Sequence, residues 1–407
     1  MKKNLTTIAV SIIVMALIWN LAGCSKSASI TTAAATTAPV VSIKSNTVPG
    51  NPWAWGPNTS GVLGNGTTTG ATTPVQVSDI SGVIAVSAGQ NSCIALKSDG
   101  TVWAWGNNGL GELGNGTTAS SEVPVQVSNL TGIIAVSVGQ NHAMALKSDG
   151  TVWSWGDNTY GELGNGSNDP SNVPVQATGL TNVIAISAGG GNSLALKSDG
   201  TVWTWGNNTF GELGIGTMVN GDVPVQINGL SGIIAVAVGA SHCLALASDG
   251  TIWAWGHNSY GEFGNGTETD SLVPVHITGI TGITAIAAGN GYTLAVKSDG
   301  TVWAWGYDQF GEMGNGSHGG TSTIASTSVE SPVQVTGLTG VTAIAAGLGC
   351  LALKSDGTVW AWGYNMFGEL GDGTNTERDT PVQVSGIAGV VVVAAGTASL
   401  AVVSASQ

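Results

Sequence analysis

The sequence predicts an all-β fold: a seven-bladed β-propeller of four-stranded blades, its ring closed by pairing of the N- and C-terminal strands. Three observations carry this. First, 63 glycines in 407 residues and only 8% charged residues suit turn-dense β structure, whereas long amphipathic helices need more Glu, Lys, Arg and Leu. Second, W-x-W-G returns at 53–56, 103–106, 153–156, 203–206, 253–256, 303–306 and 360–363. The spacing is regular except in the last interval, where the loop "SHGGTSTIASTSVE" is longer than its counterparts. Third, the chain begins and ends half a unit in, so the two halves can complete each other.

Residues 1–23 read as a lipoprotein signal peptide. Lys2 and Lys3 form a basic n-region, "IAVSIIVMALIW" an apolar h-region, and "LAGC" follows. That last stretch resembles the bacterial lipobox, which implies lipid attachment at Cys24. An ordinary signal peptide or a membrane anchor is the plainer alternative. Residues 24–50, rich in Ser, Thr and Ala, cannot bury enough apolar surface to offset their ordering entropy and read as a flexible tether. The expected location is therefore the cell envelope, lipid-anchored to a bacterial membrane, or outside the cell, with the anchor as the only membrane contact.

Residues 51–407 form the propeller. In one unit, "IIAVSVG" (133–139) reads as strand A and "AMALK" (143–147) as strand B. "SDG" reads as a two-residue type I′ turn, its Asp-Gly supplying positive φ. "TVWSWG" (151–156) is strand C and "VPVQA" (173–177), after a long loop, strand D. Small residues place strand A innermost, and the two tryptophans of strand C are expected to wedge against the next blade. The terminal "VVVVAAG" (390–396) and "SLAVV" (399–403) are expected to pair with "WAWG" and "PVQV" (74–77), removing two open sheet edges.

Units such as "AGQNHAMALKSDGTVWSWGDNTYGELGNG" resemble those of the regulator of chromosome condensation family, over residues 51–407. The resemblance implies a seven-bladed propeller closed by its chain ends. It also implies a binding role, since family members include an exchange factor on chromatin, a plant photoreceptor and secreted bacterial inhibitors. A signal peptide and an acidic body favour the last kind.

A column filled alike in every blade is required by the fold, whereas chemistry needs residues that converge. The aspartates of "SDG" (Asp99, Asp149, Asp199, Asp249, Asp299, Asp356) therefore read as turn residues, and the glutamates of "GELG" (Glu112, Glu162, Glu212, Glu262, Glu312, Glu369) as acceptors for loop amides. Cys93, Cys243 and Cys350 lie in non-adjacent blades, which disfavours a disulfide or a thiolate metal site. No nucleophile elbow, P-loop, zinc or dinucleotide signature occurs, so neither an enzyme nor a cofactor or metal site is expected. A formal charge of −14, with Arg378 the only arginine, argues against nucleic acid.

The face carrying the A–B turns and C–D loops holds the variation, and the expected site lies there: His257, Tyr260, Tyr307, Phe310, Tyr364 and Phe367 after W-x-W-G, with His142, His242 and Tyr292 in the A–B turns. Rings at 160, 210, 260, 310 and 367 are expected to pack beneath their own loops, and His257, Tyr307 and Tyr364 to be exposed. A monomer binding a protein partner through this face is the expected function. The alternative is a glycan, stacked on the rings beside Asn107, Asn158, Asn208 and Asn258, and an enzyme is the remotest reading.

Overall fold

A computed structural model describes residues 48–317 and 328–405. The signal peptide, Cys24, most of the tether and His318 lie outside the described residues.

Each unit folds into the four strands its alternation demands. In blade 1 these are Val83–Ala88 (A), Ser92–Lys97 (B), Val102–Gly106 (C) and Ser121–Gln126 (D), antiparallel in that order. Five more blades follow, opening with strand A at Ile133, Val183, Ile233, Ile283 and Val341. The seventh takes Val390–Ala395 and Ser399–Ser404 from the C-terminus and Gly50–Gly56 and Ala71–Gln76 from the N-terminus. Its central register runs from Gly50 opposite Ser404 to Trp55 opposite Ser399, which is the expected closure.

Strand A lines a central channel of about 1240 Å³. Blades meet most closely at its mouth. A Cβ on Gly89 would lie 2.3 Å from the Gly139 carbonyl oxygen of the next blade, and glycine also fills this position in blades 2 to 7, at 139, 189, 239, 289, 347 and 396.

The apolar core sits between blades, not within them. One cluster joins Leu96, Val102 and Leu113 of blade 1 to Val136, Ala145 and Trp155 of blade 2. Here the two tryptophans of strand C divide their work, and they face the preceding blade. The second is fully buried: Trp155 Nε1 donates to the Glu112 carbonyl at 2.8 Å, Trp205 to Glu162 at 2.7 Å, and Trp55 closes the ring on Glu369 at 2.8 Å. The "GELG" loop lets this happen: at Gly114, φ is +59° and a Cβ would stand 2.7 Å from Trp155 Nε1. The first tryptophan is only half-buried. Trp103 donates to Thr101 Oγ1 and carries Lys97 Nζ 5.8 Å from its ring centroid.

The "SDG" hairpin corrects the expected type I′ geometry. Only the glycine takes positive φ (Gly100, +80°), and Gly100 N–H donates to the Lys97 carbonyl at 2.9 Å. Thr101 and Lys97 then bond across the base, as in a three-residue hairpin with a glycine bulge. The aspartate is there for another reason: Asp99 Oδ1 accepts from Thr101 N–H at 2.9 Å and Oγ1 at 2.6 Å, and these bonds hold its carboxyl below the usual range. Its role in the turn is as expected, but by side-chain acceptance and not by backbone conformation.

Candidate functional site

After W-x-W-G the chain must leave the sheet, cross the top of its blade and return as strand D. A buried asparagine makes the loop possible. Asn108 Nδ2 donates to the carbonyls of Thr117 (3.0 Å) and Ala119 (2.9 Å), while its Oδ1 accepts from Leu113 N–H (2.9 Å). Asn58, Asn158, Asn208, Asn258 and Asn365 repeat this, each essentially without exposure. Asn158, Asn208 and Asn258 thus have no amide left to offer a sugar, contrary to what the glycan reading needs. The column was in view in the sequence, and its regularity was the signal that it belonged to the scaffold.

The glutamates sit beneath the loop. Glu112 Oε2 accepts from Leu110 N–H at 2.8 Å, and the same bond recurs at Glu162, Glu212, Glu262, Glu312 and Glu369, as expected. Burial pushes the Glu162 carboxyl up to about 7 and that of Glu312 to about 8.

His142, His242 and Tyr292 are not at the partner face. Each is 1% exposed and is the first residue of strand B, with its side chain turned into the next blade. His142 Nε2 meets Ser193 Oγ at 2.9 Å, and His242 Nε2 meets Thr293 Oγ1 at 3.1 Å, each 51 residues on. Ser193 and Thr293 in turn donate to the same glutamate carbonyls that receive the tryptophans. Tyr292 Oη donates towards the carbonyls of Gly347 and Gly349. Sequence reasoning placed the column in the A–B turn because it reads one blade at a time, and the partner of each residue is in the next.

These buried groups set opposing pH limits. Burial lowers His142 and His242 to about 4, so the unfolded chain takes up protons first, and stability falls as pH drops below about 6.5. The raised glutamates act the other way: their contribution is full below about 4.5 and is lost as pH rises through their folded values. Thermal unfolding midpoints should peak between those limits. Glu312→Gln should flatten the alkaline limb in a melting series across pH, and a limb of unchanged slope would refute this assignment.

Of the remaining predicted residues, His257, Tyr260, Tyr307, Phe310 and Tyr364 come together in one continuous line of rings that Phe210 begins, while Phe367 stands outside these ring contacts. Phe210 of blade 3 meets His257 of blade 4 edge-to-face (4.7 Å, 71°), Tyr260 meets Tyr307 of blade 5 (5.0 Å, 70°), and Phe310 meets Tyr364 of blade 6 (4.9 Å, 77°). Within blades, His257–Tyr260 and Tyr307–Phe310 span 6.0 and 6.1 Å. Edge-to-face pairs of this kind contribute about 0.5–1.5 kcal/mol each. Exposure reverses the expectation. Tyr260 (40%) and Phe367 (56%) stand out, as do Tyr160 and Phe210, whereas His257, Tyr307 and Tyr364 are half-buried, and of the outer column only Phe310 is half-buried with them. The reason is the loop's reach: in blades 3, 4 and 5 it carries the outer ring against the first residue of the next blade's loop. His257 is further held by Glu262, whose Oε1 lies 2.8 Å from Nδ1 and raises the imidazole's pKa.

A closed four-strand repeat whose repetitive residues are consumed in joining blades, and whose irregular residues gather on one loop face, defines a β-propeller. The chain belongs to the RCC1-like family. A profile described as RCC1-like domain matches residues 24–347, and one described as regulator of chromosome condensation (RCC1) repeat matches 356–403. Among solved structures it is similar to human WBSCR16 (23% identity, TM-score 0.78, covering 88% of this chain and 100% of that one). It is similar also to Prp20p of Saccharomyces cerevisiae (22% identity, TM-score 0.80, 90% and 94%) and to the yeast protein bound to Kap60 (20% identity, TM-score 0.80, 95% and 96%). Comparison with curated proteins yields no match.

Proposed function

We propose that this chain is a membrane-tethered, extracytoplasmic protein-binding propeller, anchored through a lipid on Cys24, which engages a protein partner with its C–D loop face. The observation that carries the reading is the line of six rings from Phe210 to Tyr364, with Phe367 and Met366 exposed at its end. Contiguous half-exposed aromatics of this kind are the usual anchors of protein interfaces. Prp20p, similar in fold, has binding properties to Gsp1p and histones, which supports a protein partner over a glycan. Binding is favoured over catalysis because the recurrent acids each serve a turn or a loop.

One experiment with two arms tests this. Full-length protein should fractionate with membranes and retain a protein partner from envelope extract, whereas Cys24→Ser should move it to the soluble fraction or leave the precursor unprocessed. Tyr260→Ala combined with Phe367→Ala should lose the partner while the melting temperature shifts by only a few degrees. Retention of glycan alone, or undiminished capture by the double variant, would refute the reading.

A further inference from the structure

Among the described residues, lysines are confined to one face of the ring, where aspartates of the "SDG" turns pair with four of them. The described lysines, Lys97, Lys147, Lys197, Lys297 and Lys354, all end strand B beside the "SDG" turns, under the half-buried tryptophans. The face with the rings has none. Its only arginine, Arg378, is held by Asp372 at 2.7 Å, and around the rings stand the exposed carboxylates of Asp222, Glu268, Asp270 and Glu377.

A second, independent feature lies under the line of rings in blade 6. In blades 1 and 4 the inner glutamate oxygen is satisfied by the residue after W-x-W-G: Asn107 Nδ2 reaches Glu112 Oε1 at 2.8 Å, and His257 reaches Glu262 Oε1 at 2.8 Å. In blade 6 that residue is Tyr364, whose ring turns instead to Phe310. Glu369, 1% exposed, still accepts from Phe367 N–H at Oε2, but its buried Oε1 has no hydrogen-bond donor among the described residues. The result is an aromatic surface of negative quadrupole faces, rimmed by carboxylates and backed by an acceptor that lacks its donor. An ammonium or guanidinium group laid on the rings complements such a surface.

We infer that the loop face over blades 4 to 6 docks a lysine- or arginine-rich segment of the partner, its cationic side chains seated over the exposed ring of Tyr260 and against the part-exposed rings of Tyr307 and Tyr364, inside the carboxylate rim. This rests on the protein-binding reading and adds the chemistry of what is bound. Acidic, neutral or purely apolar segments lack the charge this face selects.

The test uses the full chain and two labelled peptides, one of alternating lysine, arginine and glycine, the other with glutamate replacing each base, followed by fluorescence anisotropy at low and high salt. The basic peptide should bind, weaken severalfold as salt rises, and outcompete its reversed counterpart. Tyr260→Leu, Tyr307→Leu and Tyr364→Leu together keep the apolar bulk but remove the π faces, and should cost about tenfold or more in affinity while the cooperative melting transition is kept and shifts down by only a few degrees. Equal binding of both peptides, no binding of the basic one, or undiminished binding by the leucine variant overturns the inference. If Tyr260→Ala with Phe367→Ala still abolishes partner capture while the basic peptide fails to bind, the cationic segment falls and the protein-binding reading stands. If capture also survives the alanine substitutions, both fall.

Discussion

Trp205→Ala is expected to lower the free energy of unfolding by about 3–5 kcal/mol, against about 1 kcal/mol for Trp203→Ala two residues away. The two side chains share a strand, a face and a chemistry, so the contrast isolates position. Trp205 is without exposure and lies in the cluster between blades 2 and 3 with Met144, Leu146 and Ile186. Its removal leaves a cavity there and strips the Glu162 carbonyl of its bond from Nε1 at 2.7 Å. That carbonyl keeps only the Ser193 hydroxyl at 3.1 Å. Trp203 already sees solvent, its Nε1 bonds within its own hairpin, and Lys197 can remain over whatever replaces it. Urea denaturation of both variants reads the difference directly. Similar losses at the two sites would mean that both tryptophans, not one, hold the blades together.

That contrast also shows where the sequence is legible and where it stops being so. Whatever repeats within one unit could be read from the unit: the four strands, the inner position of strand A, the acceptor role of the glutamates. The half-unit offset between the chain ends announced the closure. What required the ring was not legible. His142 looks like a turn residue until Ser193 of the next blade is brought against it. Tyr292 needs room that blade 6 provides by a shorter A–B turn, "AGLGC" where blade 5 has "AGNGYT". The columns holding the rings from Phe210 to Tyr364 were visible in the sequence, but which rings were outermost depended on the loop's reach over its neighbour, a distance no single unit contains. The Asp-Gly turn failed for a different reason. Both hairpin types place glycine at the same point, and only the threonine after it, accepting the aspartate, distinguishes them.

The largest effect of all should come from opening the ring. Deleting residues 390–407 removes strands A and B of the seventh blade and leaves Gly50–Gly56 with one free edge where Ser399–Ser404 had paired. Val392, Ala394, Leu400 and Val402 go with them, and these line one side of the cluster whose other side is Val83, Val86, Ala95 and Trp105 of blade 1. An apolar blade face and an unpaired strand then meet water together, which favours association over folding. The truncated chain should lose its cooperative transition in denaturant and bind a hydrophobic dye. A milder variant separates closure from simple loss of mass. Leu400→Asp keeps every backbone pair possible but places a carboxylate where Leu400 has no exposure, between blade 7 and blade 1. It should cost several kcal/mol, because a buried, unpaired charge costs more than the leucine contributed. If the truncated chain instead melted cooperatively near the temperature of the intact one, the ring would be held by its six continuous blades, and the pairing of Gly50–Gly56 with Ser399–Ser404 would be a consequence of the fold and not a condition for it.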